Sequence, residues 1–533
     1  MEKLKLVCVA IAMACATPTL AGGLLTNTNQ HVAFDRMMSR EASIGIDGVY
    51  YNPAGVVFMS EGHHLAINWQ LAFQTRTINN DYALFTNNVN NPTTPRDFKG
   101  TAFAPVIPSF QYAYNKGKWS FQASFALTGG GGKCTFDDGL GSFEKIVSET
   151  AIAACGLAGV VDQTLGNTLG QPGMEMFTSD QAFGKTGKYS FNSYMHGRQY
   201  YYGLSVGAAY KFCDNFSAFL GVRGVYALTN YYGYVENINV GNMPLYKVLD
   251  PSKETAANIE LSCDQTGVGF TPIIGVDYKT GRWNFSAKYE FKTRIRLKNK
   301  SVNQTPSIGN LPANLANQMT GILTAKFQQA GLPLEQAKQK AENTTNTVLA
   351  DPKVGATMIG LKTQFDQKLN KAIGEYEDGK KIAGDIPAYL ALGVGYSPVD
   401  AVRVNVGFHW FDDKNATSYN NRNKELKRGT LEYNAGVEVD VNKKITLSTG
   451  WQNTNYGLSD EYMDDKSFVV SSNSVAVGGV YHINKKMDLN VAYFHTFYQH
   501  KKTTEKVEQI GKTYSSDYTR NNNVFAVGLD INF

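Results

Sequence analysis

The sequence predicts an all-β chain, a transmembrane antiparallel β-barrel of about fourteen strands. Three observations carry that prediction. Segments of strict apolar/polar alternation run for about 10–15 residues, where globular strands average about 5–6. The connections between them switch between very short and long, as in barrels with short turns on one side of the membrane and long loops on the other. Tyr, Trp and Phe gather near the segment ends, the place of an interfacial aromatic girdle. A soluble sandwich alternates as well, but a closed barrel removes the edges that so many long strands would otherwise expose.

Composition agrees. The 533 residues include 51 Gly, 30 Tyr and 29 Phe, with a slightly negative mean hydropathy, which suits a β protein. After the first 21 residues no stretch reaches the roughly 18 apolar residues of a membrane helix. A net charge of +5 is weak for this length and no basic stripe is interleaved with aromatics, so nucleic acid is not an expected partner. The first residues read as an export signal: a basic "MEKLK", an apolar "LVCVAIAMACA" and small residues around a cleavage after Ala21. Cys15 invites a lipoprotein reading, but its surroundings fit a lipobox poorly. Cys134, Cys155, Cys213 and Cys263 remain, with no C-x-x-C pair. Four free thiols and a Cys134–Cys155 bridge are both open at this point.

The strands follow in order. Expected starts are near 63, 100, 117, 195, 215, 258, 282, 386, 401, 429, 443, 468, 486 and 518. Short turns fall at 115–118, 212–215, 279–282, 397–400, 440–444 and 484–486. Long connections fall near 78–99, 129–194, 241–257, 300–385, 412–428, 457–467 and 501–517. An even count leaves both chain ends on the short-turn, periplasmic side. The pattern is clearest late in the chain. In "TLEYNAGVEVDV", Leu431, Tyr433, Ala435, Val437, Val439 and Val441 share one face, and Glu432, Asn434, Glu438 and Asp440 share the other. "VRVNVGFHW", "KITLSTGWQ" and the closing "NVFAVGLDINF" repeat it. Terminal Phe533 suits recognition by a barrel-assembly machinery, and the chain reads as a monomer in the outer membrane, bordered by its lipid and lipopolysaccharide.

Two long connections contain helices. Val354, Met358, Leu361, Phe365, Leu369 and Ile373 recur at helical spacing, as do Leu315, Met319, Leu323 and Phe327, with a break at "GLPLEQ". "FEKIVSETAIAACGLAGVV" is a third, small-residue helix. Such apolar faces either pack on each other as a cap or leave a groove for an apolar ligand.

Catalytic and metal motifs are weak. "GGGGKC" lacks the first Gly and the Ser/Thr of a phosphate loop, and reads as flexible backbone ending the third strand. The histidines are scattered, so no metal and no cofactor are expected. "SDEYMDDKS" (459–467) lacks calcium-loop spacing and reads as a solvated loop. Arg223, Lys288, Lys292 and Arg403 fall on polar, lumen-facing strand faces. They serve an acidic ligand or pair with Glu290, Glu432, Glu438 and Asp440.

The mature start, "GGLLTNTNQHVAFDRMMSREASIGIDGVYYNPAGVVFM", resembles the N-terminal plug of the FadL/TodX family of outer-membrane transporters for long-chain fatty acids and other hydrophobic molecules. "VIPSFQYAYNKGKWSFQASFAL", "GDIPAYLALGVGYSPVDAVRVNVGFHWF" and the closing strands extend the resemblance over the mature chain. It implies that residues 22–62 form a hatch in the barrel 63–533, with Asn52, Pro53, Ala54 and Gly55 as its signature. Pro53 fixes φ and removes a donor, and Asn52 is driven extended. The resemblance also implies an inward kink of the third strand, to which Gly129, Gly130, Gly131 and Gly132 contribute, and uptake by passive, hatch-gated diffusion with lateral exit through the wall. External Met358, Leu361, Phe365 and Leu369 would collect the ligand. A general porin is the main alternative; a displayed enzyme or adhesin is a further one.

Overall fold

The computed structural model describes residues 24–306, 310–508 and 510–533, with backbone alone over 364–373. The export signal and the side chains of Phe365, Leu369 and Ile373 lie outside the described residues.

Among the described residues, fourteen antiparallel strands close into one barrel. They are β1 (Gly62–Tyr82), β2 (Arg96–Lys116), β3 (Trp119–Phe136), β4 (Tyr189–Cys213), β5 (Phe216–Val240), β6 (Ile259–Thr280) and β7 (Trp283–Glu290, resuming at Arg296–Gln304). Then follow β8 (Lys381–Ala383 and Tyr389–Val399), β9 (Val402–Phe411), β10 (Thr430–Asn442), β11 (Ile445–Asn455), β12 (Ser472–Asn484), β13 (Met487–Tyr498 and Lys501–Val507) and β14 (Lys512–Asn532). Closure is made by β1 on β14, in unbroken register from His64↔Asn532 to Tyr82↔Tyr514.

The period of two sorts the side chains. On β1, Ile67, Trp69 and Phe73 are 42%, 47% and 45% exposed, while Ala66, Asn68, Gln70 and Gln74 between them are buried. Apolar outside and polar inside is the reverse of a soluble core, and only a lipid surround satisfies it. Trp69, Trp119, Trp283 and Trp451 stand on the outer face, where an interfacial ring places its polar edge toward water.

Most strand starts fall within a few residues of expectation. The exceptions lie at the extracellular side, where strands run further than hydropathy indicated. β4 and β5 reach 25 residues each, against the roughly 9–11 a membrane crossing needs. The expected long loop 501–517 is mostly strand: Lys501↔Tyr518 to Val507↔Lys512 are paired, leaving a tight turn. Above the membrane neither strand face meets lipid, so "KKTTEKV" carries no apolar period to read. The glycines at 129–132 likewise lie within β3, which runs on to Phe136, and not at its end.

The N-terminal segment fills the bore with two short helices, α1 (Val32–Met37) and α2 (Gly48–Tyr51). Outside, α3 (Gly141–Leu169), α4 (Tyr246–Leu249), α5 (Leu311–Gln329), α6 (Leu334–Leu349) and α7 (Pro352–Ile373) form a cap. Leu315, Met319 and Leu323 of α5 and Val354, Met358 and Leu361 of α7 bury in one cluster with Phe143, Val147 and Val161 of α3.

Candidate functional site

The bore is held shut by polar contacts from the N-terminal segment to the wall. Arg36 Nη1 donates to Ser448 Oγ at 3.0 Å and lies 3.4 Å from Glu438 Oε1. Arg40 donates to the other oxygen of Glu438, and through Nε to Asp47 at 2.7 Å. Glu41 meets His409 Nε2 at 2.7 Å, and His409 Nδ1 meets Glu432 at 2.8 Å, all three fully buried. A buried charge is costly unless it is paired, and the pairs of Arg36 and Arg40 with Glu438 and of Glu41 with His409 join two parts of the chain that are far apart in sequence.

The Asn-Pro-Ala-Gly stretch is buried and anchored at every residue. Asn52 Oδ1 accepts from Gly55 N at 3.1 Å, closing a local turn, and Asn52 Nδ2 donates to Asp277 of β6 at 2.6 Å. Pro53 O accepts from Gln122 Nε2 of β3, and Ala54 O from Ser217 Oγ of β5, each at 2.7 Å. A Cβ on Gly55 would stand 3.1 Å from the Asp277 carboxylate and nearer still to Asn52, so the turn has no room for one.

The wall is interrupted beside this segment. β2 and β3 pair from Lys116↔Trp119 to Ser109↔Ala126 and again from Ala102↔Cys134 to Gly100↔Phe136. Residues 103–108 and 127–133 between these points do not pair with each other. Pro105 and Pro108 bring no N–H to that edge, and the Pro105 carbonyl accepts from Trp69 Nε1 at 2.7 Å. β3 stays on β4 by shifting register at Leu127/Gly129 and Gly130/Gly132. Gly130 has φ 73° and Gly131 φ 150°, a backbone that side-chain-bearing residues resist. The place of the missing cross-strand partner is taken from inside by the N-terminal segment. Thr26 bridges Gly129, and Asn27 N donates to Thr128 O at 3.0 Å. Asn27 Nδ2 donates to Leu127 O at 3.3 Å and Gly130 O at 2.6 Å.

Under the cap lies an apolar cavity of about 120 Å³, walled by Val147, Leu157 and Val161 of α3, Leu315 of α5, Leu361 of α7 and Phe177. The cap thus both packs on itself and encloses space. Of the residues expected to collect ligand, Met358 and Leu361 are buried in this cluster.

The four lumen cations divide. Arg223 makes a two-pronged bond to Glu290, at 2.6 and 3.0 Å, and Lys288 meets the same carboxylate at 2.9 Å. Lys288 also donates to Tyr50 O at 2.6 Å, so this trio grips α2. Arg403 pairs with Asp440 at 2.6 Å. Lys292 lies apart, half-buried, with Asp385 4.0 Å away. Sequence reading passed over Arg76. It is fully buried, directly opposite Arg520 across the β1–β14 ladder. Its Nε donates to Gln74 at 3.2 Å, and its Nη1 and Nη2 meet no acceptor among the described residues. Its guanidinium lies 5.8 Å from the ring of Phe468, a member of the cap's apolar cluster.

One loop differs from expectation. The "SDEYMDDKS" loop is not simply solvated: Asp465 is buried and accepts from Ser142 N at 2.8 Å, at the start of α3, and from the Tyr518 hydroxyl at 2.9 Å. A carboxylate at a helix N-terminus meets unsatisfied N–H groups, which tertiary contact supplies here. Of the two readings open for the cysteines, the structure has the first: Cys134, Cys155, Cys213 and Cys263 are free thiols, with no Cys134–Cys155 bridge.

Asp413, in the external loop after β9, accepts from Leu24 N at 3.3 Å and Thr430 N at 2.9 Å. Burial pushes its carboxyl up from 3.8 to about 6. The folded state therefore binds this proton more tightly than the unfolded state. The stability it contributes is fully present below pH 3.8 and is lost as pH rises through about 6. The melting temperature of the wild type relative to Asp413→Asn should fall across that window. A difference that stays level, or rises with pH, would contradict the assignment.

These features define a class of protein: an outer-membrane β-barrel stoppered from within by its own N-terminal segment. Its particular fold is that of the FadL and TodX barrels. The structure of a Pseudomonas aeruginosa FadL homologue superposes with a TM-score of 0.57 at 13% identity, over 96% of this chain and 100% of that one. A TodX monoaromatic hydrocarbon channel mutant gives 0.52 at 13%, over 96% and 100%. The P. putida toluene transporter TodX gives 0.48 at 13%, over 92% and 94%. No protein-family model and no curated protein matches the sequence.

Proposed function

We propose that this chain takes up hydrophobic molecules with an acidic head, long-chain fatty acids foremost, by passive diffusion. The ligand gathers in the apolar cavity beneath the cap. Its head turns toward Arg76, the N-terminal hatch shifts, and the molecule leaves sideways between β2 and β3. The observation that carries this reading is the unpaired stretch between those strands, covered from inside, among the described residues, by Leu25–Asn27. Lateral exit suits such cargo, since each methylene prefers hydrocarbon to water by about 0.8 kcal/mol. The acidic head is favoured over a neutral hydrocarbon because a buried guanidinium without a carboxylate is costly until an anion joins it. A general aqueous porin is disfavoured by the filled bore.

Cells carrying the chain should accumulate labelled oleate faster than cells without it. Arg76→Gln should lower oleate uptake on the order of tenfold, the worth of a charge-assisted hydrogen bond, and leave toluene uptake unchanged. Equal oleate uptake with and without the protein would remove the reading. A variant equally impaired for both probes would remove the assignment to Arg76.

A further inference from the structure

The outer surface of the barrel carries a basic row that transport does not use. Cross-strand pairing lines up Lys133, Arg198, Asn230, Asp264 and Lys300 on β3 to β7 in one row: Lys133↔Arg198, Arg198↔Asn230, Asn230↔Asp264 and Asp264↔Lys300. In the next row down, Thr266↔Lys298 and Lys298↔Lys381 continue it to β8. Their neighbours in sequence, Cys134, Gly197, Asn299 and Ile382, are buried, so these five cations point outward. Lys133, Lys298, Lys300 and Lys381 are exposed and Arg198 is half-buried. None of the five has an ion pair among the described residues. The acids nearby include Asp264, which accepts from Asn230 at 2.7 Å, Glu260 and Glu236, higher on β6 and β5, and Asp378, which accepts from Ser301 N at 2.8 Å beside Lys300.

The row sits where the lipid-facing belt ends. Tyr200 is two residues below Arg198 on β4, and Val268 and Phe270, 64% and 69% exposed, follow Thr266 down β6. On the opposite wall the corresponding positions above Trp451, Val475 and Phe525 are Asn453, Asn473, Asn521 and Asn523, all neutral. A basic row joined to an apolar wall complements a molecule with acyl chains below and negative charge at the headgroup level. We propose that β3 to β8 bind the phosphate groups of a phosphorylated glycolipid of the outer leaflet. The lipid's chains lie against the belt, and its phosphates bridge Arg198, Lys298, Lys300 and their neighbours. The assignment rests on the barrel's place in the outer membrane and is independent of what the barrel transports.

The test is native mass spectrometry of the full chain in detergent, with bisphosphorylated lipid A and the same lipid A after phosphatase treatment as probes. The bisphosphorylated form should bind the wild type. Each basic residue near an anionic surface contributes roughly fivefold, so R198A/K298A/K300A should lose on the order of a hundredfold. The dephosphorylated lipid should bind wild type and triple variant equally weakly. K298R/K300R should bind as the wild type does, and N453A/N473A/N521A on the far wall should lose nothing. The substitutions sit on an exposed face, and heat-modifiable gel mobility verifies the folded barrel. The proposal is overturned if the triple variant retains wild-type binding, if removing the phosphates changes nothing, or if the far-wall variant loses as much.

Discussion

Removing residues 24–55 should turn a closed barrel into a conducting one. In planar bilayers the full chain should show almost no steady current, and the shortened chain a current higher by roughly tenfold or more. The bore of a barrel widens with strand number, and here polar side chains line it: Gln70, Ser109, Gln111, Ser120 and Gln122 all face the N-terminal segment. Water would enter readily once that segment is gone. The barrel itself should survive, because β1 closes on β14 without the segment's help. A milder version is Glu438→Ala. It leaves Arg36 and Arg40 buried without their shared carboxylate, at a cost of about 3–5 kcal/mol for a broken buried pair, and should produce brief openings. A folded, shortened barrel as silent as the full chain would show that something other than residues 24–55 blocks the bore.

Gly130→Val should abolish uptake while leaving the bore closed. The left-handed backbone at Gly130 costs a side-chain-bearing residue roughly 1–2 kcal/mol, and the new Cβ would collide with the backbone oxygen of Gln199. Both penalties fall if β3 straightens toward β2. That movement takes Leu127 O and Gly130 O away from Asn27 and fills the interruption. Oleate uptake should drop to that of cells lacking the protein, with bilayer conductance unchanged. Gly117→Val is the control: it has φ 60° as well, but a Cβ there meets nothing within 4 Å, and it lies in a periplasmic turn. Wild-type uptake by folded Gly130→Val would sink the lateral route.

Much of this architecture was legible in the chain because the signals are local. Alternation along "TLEYNAGVEVDV" says which residues face lipid wherever the strand is placed. The helical spacing of Leu315, Met319 and Leu323 announces α5. Signals faded where local chemistry is ambiguous. α6 buries Ala337, Ala341, Thr344 and Thr345, residues too small or too polar to mark a face. The upper part of β13, "KKTTEKV", is polar and largely exposed up to Val507, and the facing part of β14 buries Tyr514, Ser516 and Tyr518 in a mixture of polar and aromatic residues that hydropathy does not read as a face.

By itself the sequence determined the barrel, its approximate strand count, the outward apolar belt and the presence of an unusual turn at Asn52–Gly55. Each follows from side-chain period and backbone preference over a few residues. Only the tertiary structure decided which charges are matched and where the wall parts. Arg40 finds Glu438 across 398 positions of chain, and Arg76 looks like any other lumen residue until the strands beside it supply no carboxylate. The Arg40–Glu438 pair and the absence, among the described residues, of a carboxylate at Arg76 are properties of groups brought together by closure of the cylinder, and no short stretch of chain contains both partners of such a pair.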